Sequence, residues 1–328
     1  MSIPGTSIPV IDLSTNKTRV VKAIGDACAT YGFFTVTGHG VPEAVDRAAW
    51  DQERRFFDLS DEAKREVVMP EAGFPYGYAP FAYERLASSL GDVTPPDLKE
   101  TYTVGPVDPA PRPAVDPDEA WARLPTPWPS DLPEAKPAFE QYYRAMSFLA
   151  EQVLQFCALA LDLDEHYFDP LINAHISALR FLNYPELQTV PLPGQLRAGA
   201  HTDYGTITIL RQEQKLGGLQ VLGPEHAGTQ RPEWIDVPYV PGSYVVNLGD
   251  AMARWTNDRW RSTLHRVVTP PIHATEPTRR QSIAFFHNAN WESIIECLPT
   301  CQSPSDPPKY APIAAGPHLM SKFQSTQY

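Results

Sequence analysis

The chain has 328 residues, 42% hydrophobic and 20% charged, the make-up of an ordinary folded protein with ample material for a core. Twenty-seven basic residues against 39 acidic ones leave a formal net charge of −12, which argues against a nucleic-acid partner. No apolar run approaches the roughly 20 residues that cross a bilayer, so no membrane partner is expected either.

In chain order, the opening MSIPGTSIPVIDLS lacks a basic stretch followed by an apolar block, so no secretory signal is expected. IPVIDL, residues 8–13, reads as a short strand. Residues 17–31 carry Val20, Val21, Ile24, Ala27 and Cys28 at helical spacing. YGFFTVTGHGV, residues 31–41, is a β-rich run broken by glycines, hence a strand and a turn. Residues 43–59 read as helix, and 60–68 start another with Ser60 as its cap. Residues 70–107 are rich in Gly, Pro and Tyr without a clear period. From Pro109 to Pro137 proline recurs at a density that excludes helix, yet Trp121 and Trp128 favour a packed surface loop over a linker. Residues 137–163 give the best helix, with Phe139, Tyr142, Met146, Leu149, Val153, Phe156 and Ala160 on one face.

From about residue 174 short alternating strands are separated by Gly/Pro turns: ISALRFLNY, TITILRQ, GLQVL, WIDVPYV, SYVVNLG, HRVVTP and RQSIAFF. That texture implies a sandwich or jelly roll rather than a parallel sheet. Residues 311–328, containing GPHLMSKFQST, read as a C-terminal helix. The expected fold is therefore mainly β with flanking helices, a jelly-roll core behind an N-terminal αβα region. Cys28, Cys157, Cys297 and Cys301 are too scattered for a disulfide framework and are expected to be free thiols in a reducing cytoplasm.

GAHTDYGTITIL places His201 and Asp203 two residues apart, where strand parity would put both on one face. Among the nine histidines, His265 in RSTLHRVVTP has the best context for a third ligand, at the start of a later strand. Two histidines and a carboxylate with open positions suit iron(II), whereas zinc more often takes three ligands and one water. Arg280 and Ser282 in RRQSIAFF form another i, i+2 pair, a guanidinium fork beside a hydroxyl that suits a carboxylate. A bare His-x-Asp arises often by chance, and Arg280 or Tyr184 alone would read as a surface cation or a core aromatic. The ordered combination carries the reading. His39, His166, His175, His226, His273, His287 and His318 read as structural or solvent-exposed.

These motifs, with IPVIDL, YGFFTVTGHGVP, DLKETYTVG, LRFLNYP, GGLQV and VVNLGD in order, resemble the isopenicillin N synthase-like branch of the iron(II)/2-oxoglutarate-dependent dioxygenases. The resemblance covers essentially the whole chain as one catalytic unit. Within it, 8–110 resembles the N-terminal region of non-haem dioxygenases and 174–291 the double-stranded β-helix core. It implies that His201, Asp203 and His265 hold Fe(II), and that Arg280 and Ser282 seat the far carboxylate of 2-oxoglutarate. Tyr184 would donate a further hydrogen bond to that cosubstrate. Many plant members carry Asn-Tyr-Tyr-Pro where this chain has Leu182-Asn183-Tyr184-Pro185, so an asparagine contact is absent at position 182. The implied reaction uses O2 to decarboxylate 2-oxoglutarate and hydroxylate, or desaturate, a small molecule such as an amino acid or natural-product intermediate.

Parity along RRQSIAFFHN turns Phe286 and Asn288 to the side of Arg280, and Val267 to the side of His265, where it would pack on the cosubstrate. The Tyr-rich segment from Phe74 to Arg85 would form part of a lid, with Arg85 a candidate partner for a substrate carboxylate. The expected partner is a small-molecule substrate, with the chain a monomer or weak homo-oligomer. Two alternatives stand beside this reading: an iron oxidase or cyclase of the isopenicillin N synthase type that needs no 2-oxoglutarate, and a non-catalytic small-molecule binding protein.

Overall fold

A computed structural model describes residues 7–69, 74–91, 94–213, 217–224, 232–270 and 277–324. His226, His273 and the last four residues of the expected C-terminal helix lie outside them.

The N-terminal region forms strand β1 (Val10–Asp12), helix α1 (Lys17–Thr30), strand β2 (Phe33–Thr37), and helices α2 (Glu43–Phe57) and α3 (Asp61–Arg65). Asn16 caps α1 by accepting from Arg19 N, and Ser60 caps α3 by accepting from Ala63 N, which satisfies otherwise unpaired first-turn donors. The aperiodic stretch that follows contains two strands that its pattern does not announce, β3 (Gly77–Ala79) and β4 (Glu100–Val104).

The expectation that the proline-rich stretch excludes helix is corrected here. Residues Pro117–Ala122 form a short helix, α4. Pro117 sits in its first turn, where a missing N–H costs nothing, and Asp116 caps it by accepting from Glu119 N. Helix α5 (Ala135–Ala160) buries Phe139, Tyr142, Met146, Leu149 and Val153, as the periodicity predicts. A four-residue turn of helix, α6 (Asp169–Ile172), leads into the β-rich half.

Strands β5 (Ala178–Tyr184), β6 (Ala198–His201), β7 (Ile207–Gln212), β8 (Leu219–Leu222), β9 (Trp234–Asp236) and β10 (Tyr244–Leu248) follow. After helix α7 (Asp250–Trp255) come β11 (His265–Val267), β12 (Arg280–His287), β13 (Ile294–Ile295) and β14 (Ile313–Ala314). Helix α8 is Ala315–Gln324, so residues 313 and 314 of the expected terminal helix are strand instead, paired with β13.

Two sheets face each other. The larger has the order β1-β2-β10-β7-β12-β5-β4-β3, and the smaller β6-β11-β8-β9. Strands from the N-terminal region thus extend the larger sheet at both ends, β2 pairing with β10 and β4 with β5. Alternation decides which layer each side chain joins. Ile283 and Phe285 of β12 and Phe181 of β5 pack outward with α1, α2 and α5 in the main core. Ala284 of β12 and Leu182 and Tyr184 of β5 point the other way, between the sheets, with Val221 and Val267. Burying each large side chain of the main core contributes roughly 1.5–3 kcal/mol.

Candidate active site

His201 ends β6, and His265 begins β11 directly opposite it in the register. Their ring centroids are 4.3 Å apart. Asp203 lies beyond the end of β6, so strand parity does not align it with His201, contrary to the sequence expectation. Its carboxylate is placed by the larger sheet instead. Oδ2 accepts from Thr208 Oγ1 at 2.5 Å and from Asn247 Nδ2 at 2.7 Å. Thr208 and Asn247 are cross-strand partners on β7 and β10, so one register fixes both donors.

The loop carrying Asp203 passes through a narrow gap. A Cβ on Gly205 would lie 2.2 Å from the His287 carbonyl oxygen, so only glycine fits this crossing of backbones.

The remaining donor atoms turn toward one another. His201 Nε2 is 3.8 Å from Asp203 Oδ1, and His265 Nε2 is 3.7 Å from the same oxygen. Ligand atoms of all three residues fall within 4.8 Å of one another. His201 Nδ1 is 2.7 Å from the Gly199 carbonyl and His265 Nδ1 is 3.1 Å from the Thr263 carbonyl. A carbonyl only accepts, so each Nδ1 carries a proton and Nε2 is the ring atom left to face the cluster. Burial, with His265 beside it, pushes the His201 imidazole well below its usual range, which keeps it neutral and able to ligate. Burial pushes the Asp203 carboxyl up, but the two imidazoles and the Thr208 and Asn247 donors outweigh it and hold the group below its usual value. Two imidazoles and one carboxylate, each oriented by a hydrogen bond on its far side, fit a divalent metal.

Asp97 supports this cluster from behind. Its carboxylate accepts from Gly199 N at 2.9 Å and Leu86 N at 3.1 Å, pinning the strand whose carbonyl orients His201. Lys99 Nζ meets Asp97 at 3.2 Å and Glu84 at 3.1 Å, and Glu84 meets Arg180 Nη1 at 3.1 Å. Burial pushes Glu84 up, but Arg180 and Lys99 more than offset it and bring its carboxyl down to about 2. Asp97, Lys99, Glu84, Arg180, Thr208 and Asn247 all escape the sequence reading. All but Glu84 lie inside quoted motifs: Asp97 and Lys99 in DLKETYTVG, Arg180 in LRFLNYP, Thr208 in GAHTDYGTITIL and Asn247 in VVNLGD.

Arg280 opens β12 directly opposite Tyr184 on β5, and both are buried. The guanidinium lies 5.0 Å from the Tyr184 ring centroid, and its Nη1 donates to Ser282 Oγ at 3.3 Å. Val267 is buried in the same inter-sheet cluster as Tyr184. Phe286 lies on the same inner face, with the Arg180 guanidinium 5.8 Å from its ring centroid. Asn288 lies one residue past the end of β12, and its amide nitrogen donates to Ile176 O at 3.2 Å. Arg85 is exposed at the head of the short 3-10 turn Leu86–Leu90.

Comparison with known proteins agrees with this geometry. Residues 8–131 match the N-terminal region of non-haem dioxygenases of the morphine-synthesis type. Residues 174–289 match the 2OG-Fe(II) oxygenase superfamily. A 2-oxoglutarate-Fe(II) type oxidoreductase of Emericella nidulans is 36% identical over 94% of this chain and 87% of its own length. A homoarginine-6-hydroxylase of Glycine max is 30% identical over 98% of each chain. A Neurospora crassa protein solved in complex with alpha-KG superposes with a TM-score of 0.81 at 31% identity, covering 99% of this chain and 98% of that one. The chain belongs to the 2OG-Fe(II) oxygenase superfamily and is an Fe(II)/2-oxoglutarate-dependent dioxygenase acting on a small molecule.

Proposed function

We propose that His201, Asp203 and His265 hold the Fe(II), and that Arg280, Ser282 and Tyr184 seat the far carboxylate of 2-oxoglutarate. The carrying observation is the convergence of two Nε2 atoms and one Oδ1 atom, each with its other polar atom already bonded to the protein. When bound, the iron supplies O2 activation coupled to decarboxylation of the cosubstrate.

The protein's own part is orientation and exclusion of water. Gly199 and Thr263 carbonyls fix both imidazole tautomers, while Thr208 and Asn247 leave Asp203 with one free oxygen. Val267 packs between the sheets beside Tyr184, in the position to cover the cosubstrate's carbon chain. Fixing the reactants on preoriented groups lowers the entropy cost of bringing them together.

Substrate is proposed to lie toward Phe286, Arg180 and Glu84, the polar end of the inner face. That wall favours a small polar molecule. Relatives are named for such compounds, among them validamycin A dioxygenase of Streptomyces hygroscopicus subsp. limoneus, 33% identical over 88% of this chain. The Neurospora crassa protein is also known with thymine bound. Arg85, exposed as it is, is proposed only for a lid contact and Asn288 for supporting the floor. No described helix is long and apolar enough to cross a membrane. The free cysteines support action in a reducing cytoplasm, and the acidic net charge disfavours a nucleic-acid partner.

The test is succinate release on a panel of polar small molecules, run with Fe(II) and 2-oxoglutarate. Release that depends on both and disappears in His201→Ala is expected. Substrate oxidation without succinate would assign the chain to the cosubstrate-independent oxidases.

A further inference from the structure

Arg197 lies four residues before His201 and immediately before β6. It is 2% exposed, among the largest fully enclosed side chains of the protein. Its backbone N–H donates to Val267 O at 3.1 Å, which ties it to the strand that carries His265. The guanidinium commits Nη2 to the carbonyls of Thr278 and, at 3.4 Å, Pro185. Its Nε is buried and has no hydrogen-bond partner among the described residues.

The surroundings make this unusual. The Arg197 guanidinium lies 5.8 Å from the Tyr184 ring centroid, and that of Arg280 lies 5.0 Å from the same ring. Two buried cations therefore share one aromatic neighbour. Arg197 bonds to backbone carbonyls and Arg280 to a hydroxyl, and neither has a carboxylate partner among the described residues. Glu53 registers the charge of Arg280, but burial pushes its carboxyl well above the ordinary range, toward the neutral form. Enclosing two like charges without a counter-ion is unfavourable. A dianion arriving from solvent relieves that cost, whereas a monoanion bound through its other end does not.

We propose that Arg197 is a specificity-determining residue for the cosubstrate: a second positive charge beside Tyr184 that makes the Arg280 pocket select a 2-oxo diacid over a 2-oxo monoacid. The inference rests on the seat proposed at Arg280 and Ser282. Arg197 acts as a positioning residue, through its field and its hold on Tyr184, and its unpartnered Nε is the donor available for a direct contact. A charge-assisted interaction of this kind is worth about a tenfold change in affinity.

The experiment is anaerobic titration calorimetry on the Fe(II)-loaded protein, with 2-oxoglutarate and with 2-oxopentanoate, which has the same chain length but no second carboxylate. Arg197→Gln is expected to weaken 2-oxoglutarate about tenfold and to leave 2-oxopentanoate within about twofold. Arg197→Lys, which keeps the charge, is expected to recover most of the preference. Thermal unfolding of each variant is followed in parallel. Arg197→Met, which keeps the buried stem, gives the same ratio if Arg197→Gln does not fold. Equal weakening of both acids, or of neither, would reduce Arg197 to a brace for Thr278 and Pro185 and overturn the inference. Arg280→Ala separates the two readings: if it leaves the diacid preference intact, the seat itself is elsewhere.

Discussion

Asp203 divides its work between two oxygens, and the division shows how the site is built. Oδ2 is taken by Thr208 and Asn247, and Oδ1 faces both imidazoles. Asn247→Leu removes one donor and leaves a buried carboxylate less well held. Partners behind a metal ligand typically contribute 10–100-fold in metal affinity, so Fe(II) affinity measured against a competing chelator is expected to fall by roughly that factor. Unchanged affinity would mean that Asp203 is positioned by its loop alone. At this scale the sequence displayed the proposed ligands and the Arg-Ser pair because each sits in a short local pattern. It hid Asn247, Asp97 and Glu84 because their meaning depends on which strand lies next to which, and register is set by packing rather than by spacing. It also passed over Arg197, four residues from His201, since a lone arginine announces nothing until its burial is known.

Elements explain why the ligands cannot drift. The crossing at Gly205 admits no side chain, so Gly205→Ala is expected to cost roughly 1–3 kcal/mol, read as a lower unfolding temperature, and to loosen Fe(II) binding with it. An unfolding temperature equal to wild type would show that the gap can widen freely. Helix α2 carries a second burden, the fully buried Glu53. Burial raises its carboxyl's pKa in the folded state well above the ordinary 4.5. The folded state then retains a proton that the unfolded chain has released, so stability falls as pH rises above about 4.5, at up to about 1.4 kcal/mol per pH unit until the folded pKa is reached. Glu53→Gln abolishes that slope. Its unfolding temperature is expected to exceed wild type by more at pH 8 than at pH 5, and an equal gap at both would contradict the assignment. The strong periodicity of α5 and the alternation of β5, β7, β10 and β12 were legible because large apolar residues recur on one face of each, as Leu179 and Phe181 do in β5, Ile207 and Ile209 in β7, Val246 and Leu248 in β10 and Ile283 and Phe285 in β12. β6, with the sequence AGAH, was not, having too little side chain to show a pattern. The proline count concealed α4 because proline forbids helix interiors but suits first turns.

For the whole molecule, the larger sheet is the organising fact. β2 lies against β10 on one side of β7 and β12 and β4 against β5 on the other, so the N-terminal region completes the sheet. A fragment spanning residues 174–291 would expose both edges and the apolar face that α1, α2 and α5 cover. It is expected to lack the near-ultraviolet circular dichroism of packed aromatics, and a cooperative unfolding transition from that fragment would show the β-rich half to be autonomous. The joining of these two regions was not visible in sequence, where they are more than sixty residues apart between β4 and β5.

The most direct measurement is anaerobic: Fe(II), then 2-oxoglutarate, added to the purified protein while the weak visible charge-transfer band of a chelated 2-oxo acid is followed. The expected result is a band in the wild type, absent in His201→Ala and weakened in Arg280→Ala. A wild type that binds iron without the band, or a His201→Ala variant that keeps it, would contradict the site assigned to His201, Asp203 and His265.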